Sequence, residues 1–203
     1  MRFAQRAAYS MLIVTRAGRR ALLNAEELQR MAVAAGFSAR LVDFETLPFK
    51  QQLELVVQTD VLLAVHGAAC VYAGFLKPSA VSVELRPYKF SDSYHFYHVY
   101  SNWAAMSGIK HVMWHNRNVS NIRAGAALVD DYKNHDTIVA PDEVSLVLGA
   151  VQKELGRRPS RRDITRTLLL NSFVMPCDNS HNDVHNPDCV CPRDRTDGVI
   201  KNA

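Results

Sequence analysis

Between Tyr9 and Trp114 the hydrophobic period switches repeatedly between that of a strand and that of a helix. Tyr9 to Thr15 (YSMLIVT) is a continuous β-rich apolar run. Asn24-Ala25-Glu26-Glu27 then reads as a helix start, with Asn24 able to cap and Glu27 three residues later, where a capping-box acid belongs. Leu28, Met31, Ala32 and Ala35 share one helical face, and Gly36 is a natural stop. Arg40 to Phe44 predicts a second strand and Pro48 to Val57 a second helix. Val61 to Val65 is apolar at every position, as in a strand covered on both faces. A short helix over 67–76, a strand over Val81 to Leu85, a helix over His95 to Met106 and a strand over Lys110 to Trp114 follow. After a polar stretch, Asn116 to Asp136, comes one more helix, Pro141 to Leu155.

Strands that alternate with helices in this way predict an α/β domain, a Rossmann-like open parallel sheet joined by right-handed crossovers. The domain runs over 1–156. From 157 to 203 the chain is first basic and then rich in Asn, Asp, His, Pro and Cys, which reads as a poorly ordered tail. The 203 residues are 48% hydrophobic and 22% charged, a globular composition. A net charge of +4 suits a small anionic ligand and is too weak to argue for nucleic acid. No apolar run reaches the roughly 18–20 residues of a membrane span, and Arg6 and Arg16 break up any signal-peptide pattern at the N-terminus. Cys177, Cys189 and Cys191 lie near His181 and His185, but their spacing matches no standard zinc site; a disulfide or an inert tail reads equally from it. Asn118-Val119-Ser120 is a glycosylation sequon.

The candidate chemistry lies where the predicted strands end, because open parallel sheets bind ligands beyond the carboxyl ends of their strands. His66-Gly67-Ala68-Ala69 follows the third strand. Gly67 permits a tight turn, the two alanines leave room, and the N–H groups of the next helix offer an anion site. His66 can donate to a phosphate or sugar oxygen. Arg16, Arg19 and Arg20 follow the first strand and suit a pyrophosphate. Glu84 ends the fourth and can accept from two ribose hydroxyls. Taken one at a time, each also reads blandly, as a turn, a solvated loop or a strand end. The chain has neither a Gly-x-Gly-x-x-Gly nor a P-loop motif.

The order Thr15-Arg16, Arg19-Arg20-Ala21-Leu22-Leu23-Asn24, Glu26-Glu27-Leu28, then LVDFETLPFKQQ, TDVLLAVHGAA and FLKPSAVSVEL resembles glycosyltransferase family 61 over about residues 9–115. The resemblance implies the C-terminal, donor-binding half of a GT-B enzyme. Such an enzyme inverts configuration as it moves a sugar from a UDP-sugar to a glycan or glycoprotein acceptor, in the Golgi or endoplasmic reticulum lumen. A membrane anchor is expected only in a longer form. Carried over, the family's arginine-rich turn falls on Arg16, Arg19 and Arg20, its asparagine on Asn24 and its glutamine on Gln52. Its His-Gly-Ala falls on His66, Gly67 and Ala68, with Ala69 beside them, and its late acid on Glu84. Two departures bear on the donor: Ala69-Cys70-Val71-Tyr72 stands for Gly-Leu-Thr-Asn, and Lys77-Pro78-Ser79 for Pro-Pro-Gly. With no Asp-x-Asp in the chain, the arginines and the helix N-terminus are expected to neutralise the leaving diphosphate without a metal or other cofactor. His66 is the candidate catalytic base, although holding the donor is its other reading. A stand-alone, non-catalytic nucleotide-sugar-binding domain is the rival function.

Overall fold

The computed structural model describes residues 8–88, 90, 98–122 and 135–156. The expected tail with its three cysteines lies outside these residues, as do His95 and the first turn of the predicted third long helix. Five strands form one sheet: β1 (Ser10–Thr15), β2 (Ser38–Asp43), β3 (Val61–Val65), β4 (Val81–Arg86) and β5 (Lys110–His115). Their order is β2-β1-β3-β4-β5 and every pairing is parallel. The α/β reading therefore holds.

Among the described residues four α-helices accompany the sheet: α1 (Ala25–Ala34), α2 (Phe49–Val57), α3 (Val99–Met106) and α4 (Pro141–Gly156). α1 stops as predicted, with Gly36 at φ 91°, where a side chain would be strained. The short helix expected over 67–76 is a 3₁₀ helix, Ala68–Phe75. The second strand starts and ends earlier than expected, because Phe44 turns away into a 3₁₀ turn capped by the Asp43 carboxylate, which accepts from the Glu45 N–H. Among the described residues no helix is long and apolar enough to cross a membrane.

Side chains alternate across each strand, so each strand serves two cores. Met11, Ile13, Leu63, Val83 and Leu85 pack under α1 and α4 with Leu28, Ala32, Val144 and Val151. Leu12, Val14, Leu62 and Ala64 pack on the other side with Val56, Cys70, Ala73 and Ala104, from α2, the 3₁₀ helix and α3. Fully burying each such valine or leucine is worth about 1.5–3 kcal/mol. The second face changes character toward β4 and β5. Ser82, Glu84 and Arg86 alternate onto it, and His111 pairs in register with Ser82.

The topology also fixes where the crevice lies. From β1 the chain leaves through α1 toward β2; from β3 it leaves the opposite way, toward β4. The loops after β1 and β3 therefore diverge, and in such sheets this switch point is where ligands bind. They are the loops that carry the three arginines and His66-Gly67.

Candidate functional site

The loop after β1 holds Arg16, Arg19 and Arg20. Arg19 is exposed and has no partner among the described residues. Arg16 is partly exposed and forms an ion pair with Glu45 at 3.3 Å. Arg20 takes a left-handed backbone, φ 60°, which costs a residue with a side chain about 1–2 kcal/mol. That turn sends its guanidinium across the switch point, where Nη1 donates to the His66 carbonyl at 3.0 Å. Burial lowers the Arg20 pKa from its ordinary value, and the charges of Arg16 and Arg19 push the same way. An anion bound here would relieve this mutual repulsion.

A second segment of the chain holds this loop in place. Leu22 bridges to Thr137; the Thr137 N–H donates to the Ala21 carbonyl at 2.8 Å, and the Leu23 N–H to the Thr137 carbonyl at 2.8 Å. The Asp136 carboxylate accepts from the Ala21 N–H at 2.8 Å. Asn24 donates to the Val139 carbonyl at 2.8 Å and accepts from the Val139 N–H at 3.1 Å. Its side chain makes no capping bond to α1, although its amide does meet Glu27, at 3.1 Å. Asn24 stands at the N-cap of α1 without a side-chain cap bond, and its side chain instead ties the arginine loop to residues 136–139. Gln52, also carried over from the family pattern, is a brace as well. It donates to the Phe44 and Leu47 carbonyls at 2.7 Å and accepts from the Tyr72 hydroxyl.

Across the crevice, Gly67 lies under the Arg20 guanidinium. A Cβ built on it would meet Arg20 Nη1 at 3.4 Å and Cζ at 3.6 Å, an ordinary contact, so the backbone at φ 157° rather than lack of space favours glycine here. Ala68 is exposed and Ala69 half-buried at the first turn of the 3₁₀ helix, beside the guanidinium. Arg20, His66 and Gly67 are therefore in contact as the sequence suggested, with Ala68 and Ala69 next in line and Arg16 and Arg19 on the same loop.

Glu84 is placed differently. It does not end its strand, which runs on to Arg86, and it is fully buried. Its carboxylate lies on the inner face below the crevice, where Oε1 meets His66 Nδ1 at 2.5 Å and Arg86 Nε at 2.9 Å, and Oε2 meets His111 Nε2 at 3.1 Å. The expected contact with ribose hydroxyls is not available to a carboxylate so enclosed. Burial works to raise its pKa; the hydrogen bonds from His111 and His66 and the charge of Arg86 outweigh burial and hold it well below the usual carboxylate range. Arg86 is equally buried. The His66 ring is capped by Phe90, with centroids 3.9 Å apart, and by the edge of Tyr100 at 4.9 Å. Burial pushes the Tyr100 hydroxyl up to about 12, so it stays neutral. Arg86, His111, Phe90 and Tyr100 were not singled out from the sequence. The alternation Ser82, Glu84, Arg86 was the available signal, since it puts three polar side chains on one buried face.

Residues 2–83 match the family model described as Glycosyltransferase 61. Over 78 residues the chain is 41% identical to a β-1,2-xylosyltransferase, XAX1, of Oryza sativa subsp. japonica; the match covers 38% of this chain and 14% of that protein. It is 31% identical over 115 residues to the protein O-linked-mannose β-1,4-N-acetylglucosaminyltransferase 2 of Tetraodon nigroviridis, covering 55% of this chain and 19% of the relative. The EGF domain-specific O-linked N-acetylglucosamine transferase of Drosophila melanogaster is 31% identical over 101 residues, 49% of this chain and 18% of its own. The chain thus spans less than a fifth of the length of these relatives, each of which is named as a transferase. The resemblance read from the motif order is thus met by the family model over residues 2–83, which hold the arginine loop, the His-Gly-Ala turn and all of β1, β2 and β3.

Proposed function

We propose that this chain carries the donor-binding site of a family 61 glycosyltransferase, one that transfers a sugar from a UDP-sugar to a glycan or glycoprotein acceptor with inversion. The observation that carries the reading is the contact between the two diverging loops, Arg20 Nη1 to the His66 carbonyl at 3.0 Å over Gly67. It sets a cationic loop against the first turn of a helix at the switch point, the arrangement a diphosphate needs. Arg19 and Arg16 reach the diphosphate from the open side, Arg20 from below, and the N–H groups at Ala68 and Ala69 from the helix. As the leaving diphosphate gains charge, these fixed positive groups stabilise it, the part a divalent cation plays in other transferases. The ribose contact passes from Glu84 to a group outside the site described above. In a full-length form this chain is the C-terminal, donor-binding half of a GT-B enzyme of the Golgi or endoplasmic reticulum lumen, and the other domain grips the acceptor.

The departure from the family pattern at Ala69-Cys70-Val71-Tyr72 favours one other reading, a nucleotide-sugar-binding domain without transfer activity. Both readings require the same donor site, so the first test is of binding. The purified chain is titrated calorimetrically with UDP, UDP-N-acetylglucosamine and UDP-xylose in chelator, beside Arg19→Ala and His66→Ala variants. Micromolar-range binding that survives chelator and is lost in Arg19→Ala is expected, and a further loss in His66→Ala would mean that the ring also holds the donor. No heat from a chain shown to be folded by circular dichroism refutes the donor site. Transfer to a glycan acceptor then separates the enzyme from the binding domain.

A further inference from the structure

Glu84 is poorly explained as a contact for any ligand, since it is sealed beneath the crevice with Arg86. Its carboxylate is ionised, and an ionised carboxylate only accepts hydrogen bonds. Every nitrogen that touches it must therefore carry a proton. That assigns hydrogen to His66 Nδ1 at 2.5 Å and to His111 Nε2 at 3.1 Å. Arg86 already balances the charge, from the same side as His66, through Nε at 2.9 Å. A neutral imidazole protonated at Nδ1 has its lone pair at Nε2. His66 Nε2 has no hydrogen-bond partner among the described residues and is not one of their sealed, unpartnered polar atoms.

We propose that Glu84 is a positioning residue that fixes His66 in the Nδ1–H tautomer and so leaves Nε2 as the proton acceptor of the site. Arg86 and His111 position Glu84 in turn. The other groups around the ring leave this assignment alone: Tyr100 on α3 stays neutral, Arg20 reaches only the backbone carbonyl, and Cys70 on the 3₁₀ helix holds its proton because burial raises its pKa. The role rests on the donor-site reading. As the acceptor hydroxyl oxygen bonds to the anomeric carbon, its O–H bond breaks and the proton passes to Nε2. The electron pair of the sugar–phosphate bond leaves with the diphosphate. The imidazolium formed is held by Glu84.

The tautomer can be read without any activity. Two-bond ¹H–¹⁵N correlation spectra of the full chain with ¹⁵N-labelled histidine, at pH 7, report which ring nitrogen carries hydrogen; a His66→Gln variant assigns the signal. The wild-type chain is expected to show a protonated Nδ1 and a bare Nε2 at His66. The paired variant Glu84→Leu/Arg86→Met removes both charges together and keeps the volume filled, and there His66 is expected to shift to the Nε2–H form. A wild-type His66 that is Nε2–H or doubly protonated at pH 7 overturns the proposal, and so does a tautomer that persists in the paired variant. UDP titration of the same samples judges the donor site separately, since the arginine loop is intact in both. In a form that transfers sugar, the paired variant is expected to keep UDP affinity and lose about 100-fold or more in kcat, the usual contribution of a positioned base.

Discussion

Replacing Glu84 by alanine takes away the buried carboxylate that Arg86 faces. Its guanidinium has no exposed surface and would lose the carboxylate that lies 2.9 Å from its Nε, while His66 and His111 would lose their common acceptor. Removing one member of a buried ion pair costs about 3–5 kcal/mol, because the other charge stays buried without that partner. For a chain of this size that corresponds to a fall in Tm of roughly 6–20 °C. The control is Glu84→Leu/Arg86→Met, which takes out both charges and is expected within about 1–2 kcal/mol of the wild type. Urea and thermal unfolding followed by circular dichroism measure both. The pH dependence follows with its sign. The Glu84 carboxyl titrates near 4.5 in the unfolded chain and well below that in the folded one. Between those two pKa values the unfolded chain binds more protons, so stability rises with pH there. The contribution is complete above about pH 5–6 and drains away as pH falls toward the folded pKa. Glu84→Ala should flatten this acid limb. A Glu84→Ala chain that melts within about 2 °C of the wild type, or a paired variant as weak as the single one, would refute the account of a charged, balanced cluster.

Two further substitutions test how the crevice is built. At Gly74 a Cβ would lie 2.7–2.9 Å from the Trp103 indole, so Gly74→Ala must displace that ring and break its Nε1 bond to the Val71 carbonyl; a loss of about 1–3 kcal/mol and altered tryptophan fluorescence are expected. Asn24→Ala removes both bonds to Val139 and so loosens the arginine loop; a loss of about 1–3 kcal/mol in urea unfolding is expected, together with weaker UDP binding, although Asn24 is not placed to touch the nucleotide.

The strand and helix order was legible because the two periods are clean. Val61–Val65 is apolar throughout since it is covered on both sides, and α1 shows its face and its stop in Leu28, Ala32 and Gly36. Errors fell where the local code is ambiguous. The run 67–76 has helical content but closes as a 3₁₀ helix, and β4 continues past Glu84 because Arg86 is itself buried in the sheet. The site was half legible. Motif order brought Arg20, His66 and Gly67 together, which the switch point does in space. The fate of Glu84 was not legible, because it depends on a partner two positions on and another 27 residues away, across β5. The clamp of residues 136–139 on the arginine loop was hidden for the same reason: the sequence between Asn116 and Asp136 gives no period from which to read a return to β1.

The polar cluster itself asks why it exists. An apolar filling at Glu84, Arg86 and His111 would hold β4 and β5 against α3 at least as well, since buried ion pairs seldom improve on packed hydrocarbon. The rest of the same face, Leu62, Ala64, Ala73 and Ala104, is filled in that way. The charged exception stands at the strand positions below His66, and it meets the crevice at the 2.5 Å contact with that ring. Desolvating a carboxylate and a guanidinium there has a cost, and packing offers no return for it. The return is at His66: a ring turned by Phe90 and Tyr100, protonated on a chosen nitrogen and backed by a charge that can hold a second proton. The sheet's own alternation delivers this arrangement, with Ala64 and Glu84 paired in register one step below the end of β3. The histidine that opens the turn therefore stands on its buried carboxylate without any loop having to place it.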